Sequence, residues 1–79
     1  MHKKTLTENI DKIHTTEMGI GRIQRNLEID TEPVEYCILK LKQENSVVTK
    51  EGKNYYVNVD DCVITINSSS FTIITAHKV

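Results

Sequence analysis

Nowhere does this chain hold an apolar run near the roughly 18 residues that a membrane span needs. Its opening, MHKKTLTENIDKIH, is basic but has no apolar core of the kind a secretory leader carries. The expectation is therefore a cytoplasmic protein with no membrane attachment. Cysteine is equally scarce. Two residues, Cys37 and Cys62, are too few for a disulfide scaffold, and each falls inside an apolar pattern where a reduced thiol behaves as a small hydrophobe. Without a leader, the sequon Asn67-Ser68-Ser69 has no opportunity to be glycosylated, and it reads as a turn. Length is short as well: 79 residues form one domain with one core. A core of that size rarely supplies more than about 3 to 5 kcal/mol, so a second copy of the chain is a natural source of added stability.

A strong charge imbalance is also missing, since the formal net charge is −1. Residues 1 to 27 set Lys3, Lys4, Lys12, Arg22 and Arg25 against Glu8, Asp11 and Glu17. Residues 28 to 44 set Lys40 and Lys42 against Glu28, Asp30, Glu32, Glu35 and Glu44. The first segment is mildly basic and the second acidic. Phosphate neutralisation supplies most non-specific affinity for a duplex, and no concentrated basic stripe is present to provide it.

The apolar pattern changes period once. Leu6, Ile10 and Ile13 stand at i, i+4 and i+7, predicting a helix over residues 4 to 13. Thr15 and Thr16 offer a cap for a second helix, with Glu17 in its first turn and Ile20, Ile23 and Leu27 as its stripe. Gly19 and Gly21 cost that helix about 1 kcal/mol each relative to alanine, and such residues often permit close helix contact. Asp30-Thr31-Glu32-Pro33 reads as a third start. Val34, Cys37, Ile38 and Leu41 complete a helix over residues 32 to 44.

From Asn45 onward the period is two and β-branched residues dominate, predicting strands at 46–50, 54–59, 62–67 and 70–77. A loop at Asp60-Asp61 sets Val59 against Cys62, Val57 against Ile64 and Tyr55 against Ile66. A two-residue loop at Ser68-Ser69 sets Ile66 against Phe71, Ile64 against Ile73 and Cys62 against Thr75. One face is then apolar across the sheet, with a turn at Glu51-Gly52-Lys53 adding Val48. The fold class is α+β, a two-layer domain with helices (4–44) on one face of a four-stranded antiparallel meander (46–77) in order 1-2-3-4. The opposite face presents Tyr56, Asn58, Val63, Thr65, Thr72 and Ile74. That surface suits a protein partner or a second copy of the chain.

The segments IDKIHTTEMGIGRIQRNL, VEYC, GKNYYV and CVITINSSSFTIITAHK cover nearly the whole chain. Together they resemble the bacterial and phage family catalogued as the DUF3781 domain. The resemblance singles out His14, Thr15, Thr16, Gly19, Arg22, Asn26, Asn67 and the TIITAHK end, and it implies no established activity.

Three functions are compatible with these residues. The leading expectation is a small intracellular module that binds another protein as an inhibitor or accessory factor, because no decisive catalytic motif is present. A second is a metal-independent ribonuclease acting on RNA, with His14 and His77 as acid and base, Arg22 and Arg25 stabilising phosphorane charge, and Thr75 nearby. That chemistry requires both imidazoles to reach one phosphate. Ordinarily, helix arginines pair instead with neighbouring acids such as Glu17 or Glu28, and a histidine such as His14 caps a helix end. A third is a winged-helix nucleic-acid binder reading with residues 32–44, opposed by the acids on that helix. Neither a cofactor nor a metal is expected, as the histidines and cysteines contain no close ligand pair.

Overall fold

The computed structural model describes residues 2–79. Helix α1 (His2–Glu8) is followed by a single 3-10 turn (Ile10–Lys12), then by α2 (Glu17–Leu27) and α3 (Pro33–Lys42). Strands β1 (Val47–Glu51), β2 (Asn54–Val59), β3 (Cys62–Asn67) and β4 (Ile73–Lys78) complete the chain. The sheet is antiparallel throughout, in order β1-β2-β3-β4.

The first helix is shorter than the residue 4–13 span that its apolar spacing predicts. Asn9 is the cause. Its side-chain amide donates to the Thr5 carbonyl at 2.8 Å while its own N–H bonds Leu6 O at 3.1 Å, so the helical ladder is diverted. Leu6 and Ile13 nevertheless reach the core. At α2 the cap is Thr16, whose hydroxyl accepts from Gly19 N at 3.0 Å. Ile23 and Leu27 are buried as its stripe requires, whereas Ile20 is 39% exposed.

In α3 the capping side chain is Glu32, which accepts from Glu35 N at 2.6 Å, with Pro33 in the first turn where no N–H is needed. Its far end is closed from outside the helix. Ser46 Oγ donates to Leu41 O at 2.7 Å and Lys3 Nζ to Gln43 O at 2.6 Å, the second tying α1 to this layer.

All three helices cover one face of the sheet. There Tyr55, Val57, Val59, Cys62, Ile64, Ile66, Ile73 and Ala76 meet Leu6, Ile13, Ile23, Leu27, Cys37 and Leu41 in a single core. The β2–β3 register matches the expected one residue by residue, around a turn where Asp60 has φ of 52°.

The β3–β4 register does not match. Ile66 pairs with Ile73, but Thr65 pairs with Thr75, Ile64 with Ala76, Val63 with His77 and Cys62 with Lys78. Two causes add. Asn67 Oδ1 accepts from both Ser69 N and Ser70 N at 2.9 Å, and Asn67 N donates to Thr72 O at 2.9 Å, so the loop holds four residues, ending on Phe71 at φ 59°. Ile74 then bulges, so that it and Thr75 share the space of one residue. The bulge exchanges the two faces of β4: Ala76 enters the core at 0% exposure, while Thr75 and His77 leave the apolar face assigned to them from sequence.

The sheet's two edges are unlike. Residues 13–15 lie along β4, where His14 N donates to Phe71 O at 3.2 Å, Ile73 N to His14 O at 2.7 Å, and Thr15 Oγ1 to Ile73 O at 2.9 Å. Beyond β1, no strand lies among the described residues.

Candidate functional site

Because side chains alternate across a strand, the face away from the helices follows from the register. One row is Val47, Asn58, Val63 and His77, the next is Thr49, Tyr56, Thr65 and Thr75, and Glu51, Asn54 and Asn67 form a third. Ile74 is added at the bulge, 40% exposed. Tyr56, Asn58 and Val63 therefore occupy the face expected of them, and Thr65 shares it but is only 7% exposed. Thr72 does not. It lies in the β3–β4 loop, with its hydroxyl 2.8 Å from Ser70 Oγ and 3.1 Å from His14 Nε2, and Thr75 takes its place beside Thr65.

This face is poor in charge. In a chain that is 27% Asp, Glu, Lys and Arg, Glu51 at one corner is the sole such residue in the three rows. Hydroxyls, carboxamides and two valines surround Tyr56. Charge depletion around an aromatic centre is what distinguishes the core of a protein interface from ordinary surface. The alternation of the meander makes most of this legible in sequence. Thr75 and His77 were hidden by the bulge, although placing Ala76 inward in preference to two polar neighbours was the available signal.

The residues considered for phosphate chemistry are dispersed. His14 sits beside Thr72 at the start of β4, whereas His77 faces Val63 five residues further along, on the order of 15 Å at the rise of a strand. Arg22 and Arg25 are exposed on α2, in the layer on the opposite side of the sheet from Thr75 and His77. The structure does not bring the two imidazoles to one phosphate. His14 instead meets the end of the 3-10 turn, its Nδ1 lying 2.8 Å from Lys12 O, while its backbone bridges to Thr72 at the sheet edge. The arginines do not pair with Glu17 or Glu28; Glu28 accepts from Lys78 at 3.1 Å. The β1–β2 hairpin is half of the four-stranded sheet, and α3 packs against β2 instead of standing clear as a recognition helix.

A cleft of about 150 Å³ opens at the other end of the sheet, lined by Leu27, Tyr36, Lys40, Asp60, Asp61, Cys62 and Lys78. Both of its lysines are already matched, Lys78 by Glu28 and Lys40 by Asp60. Lys40 Nζ donates to Asp60 Oδ2 at 2.6 Å and Asn45 Nδ2 to Oδ1 at 2.9 Å. These bonds hold the Asp60 carboxyl below its ordinary range and, from Asp60, raise Lys40. Cys62 is pushed up by burial, and burial together with Cys62 and Glu32 pushes Cys37 up to about 12. Both cysteines are free. Among the described residues, no three His, Cys, Asp or Glu side chains gather as metal ligands do, and no helix is long and apolar enough to cross a membrane.

A protein-family model described as "Protein of unknown function (DUF3781)" matches residues 7–77, nearly the whole chain, and the protein belongs to that family. No curated protein and no solved structure matches it.

Proposed function

We propose that this DUF3781 member is a small cytoplasmic interaction module, of bacterial or phage origin, that binds another protein through the open face of its sheet and serves it as an inhibitor or accessory factor. The observation that carries the reading is the near absence of charge on that face, in a chain otherwise dense with it. Solvated sheet faces commonly carry Lys and Glu, whereas Tyr56 in one row with Thr49 and Thr75 offers area and hydrogen bonds at low desolvation cost. Two buried, unpaired thiols support a reducing compartment.

The test places a photo-crosslinking residue at Asn58, exposed on this face, or at exposed Lys4 on α1, in cells of the source organism. A protein trapped from position 58, not from position 4, and lost on Val63→Lys is the expected result. Trapping that is equal from both positions, or that survives Val63→Lys, would show that the face is not the docking site. A folded chain that traps nothing from position 58 would remove the reading.

A further inference from the structure

Apart from this face, the chain leaves apolar side chains in water on its helical layer. Met18 on α2 is 77% exposed and Leu39 on α3 is 62% exposed. Each stands seven residues, two full turns, from a charge. Arg25 follows Met18, and Glu32 precedes Leu39 with Glu35 between them. Arg25 makes no hydrogen bond or ion pair within the described residues, and the Glu35 carboxylate is likewise unpaired. Between Met18 and Arg25 lies Gly21, where an added Cβ would meet nothing within 4 Å. Its cost to the helix of about 1 kcal/mol relative to alanine is thus not explained by packing within one chain.

We propose that two copies of this chain pair through their helical layers, α2 of each lying on α3 of the other about a two-fold axis parallel to the helices. Within a chain α2 and α3 pack together and are joined by residues 28–32 alone, a connection short enough to return the second helix antiparallel to the first, with Gln24 Nε2 donating to Thr31 O at the junction. Rotation about such an axis preserves height along the helices. It therefore sets Arg25 of one copy over Glu32 and Glu35 of the other, and sets Met18 over Leu39 about 10 Å below. Charge and apolar contacts are satisfied together because the two spacings are equal and their order is reversed. Gly21 falls midway, at the level of Tyr36, where a helix without a side chain allows close approach. The contact is isologous, so each such pair is made twice and the assembly closes at two. It is independent of the open sheet face, which stays free for another protein.

The patch is two short helices wide, so association is weak and salt-dependent. Sedimentation equilibrium up to about 1 mM protein at low salt should show a monomer–dimer equilibrium that weakens as salt screens the charges. Arg25→Glu and Glu35→Arg should each raise the dissociation constant by about tenfold or more, and mixing the two variants should restore dimer, since reversed partners then meet. Gly21→Leu, whose Cβ meets nothing within 4 Å in the chain, should also abolish pairing. A chain monomeric throughout this range overturns the proposal. So does dimerisation unaffected by these substitutions, or a set of amide resonances that move on dilution in β1 or the outer sheet face instead of α2 and α3.

Discussion

His14 Nε2 lies 3.1 Å from Thr72 Oγ1, where the two residues stand side by side in a one-residue parallel bridge at the entry to β4. The backbone bonds of the bridge, and the Thr15 hydroxyl on Ile73 O, carry the attachment. His14→Ala should therefore leave stability within about 1 kcal/mol, as for an exposed side chain. Thr15→Val should cost about 1 kcal/mol through the lost hydrogen bond, as read by chemical denaturation.

The same threonine governs Gly19. A Cβ at Gly19 would collide with Thr15 Oγ1, so Gly19→Ala should destabilise the native chain despite the better helix propensity of alanine. In a Thr15→Ala background the clash partner is gone, and the same substitution should cost markedly less. A double-mutant cycle showing no coupling between the two positions would contradict the close approach.

The bulge at Ile74 makes opposite demands on neighbouring residues. Ala76→Asp buries a carboxylate in the core and should unfold the domain, while Thr75→Asp on the outer face should be tolerated. Circular dichroism of the two variants decides between this register and the one expected from a two-residue loop.

Those two registers show where sequence suffices. Between β2 and β3 a tight two-residue turn leaves no freedom, so the pattern Tyr55, Val57, Val59 against Ile66, Ile64, Cys62 specifies every pair. At β4 the apolar pattern is weak after Ile74, and Asn67 folds its own carboxamide over the loop, adding residues that periodicity does not count. Asn9 acts in the same way on α1. In both places a short amide side chain bonding to local backbone overrode a periodic signal. The face carrying Tyr56, Asn58, Val63 and Thr65 was legible because it depends on the well-determined strands, whereas the dispersal of His14 and His77 was not, because it depends on the bridge at residue 14.

The Lys40–Asp60 pair should shape stability at both ends of the pH range. Asp60 is held below its ordinary value by its bonds to Lys40 and Asn45, so its contribution is present above the unfolded carboxylate pKa and fades as pH falls through the folded one. Lys40 is raised by Asp60, so its contribution is present below its unfolded pKa and fades in strong alkali. Asp60→Asn should flatten the acid limb of a melting-temperature profile. An unchanged acid limb would show that the pair is not formed in solution.

Cys37, pushed up to about 12 by burial, ionises more readily unfolded than folded. Stability should accordingly decline as pH rises past the ordinary thiol value near 9. At neutral pH neither thiol should react with a maleimide in the native chain, and both should react in denaturant. Rapid native labelling of Cys37 would contradict its burial.

The unlike edges of the sheet give the molecule a polarity in how it can grow. Strand-by-strand stacking needs each unit to offer one open edge and accept on another, and here residues 13–15 already bond Phe71 and Ile73 at the start of the second. A strand arriving at β1 meets a whole edge, whereas one arriving at β4 meets an edge shortened by three residues that belong to neither the sheet nor a helix.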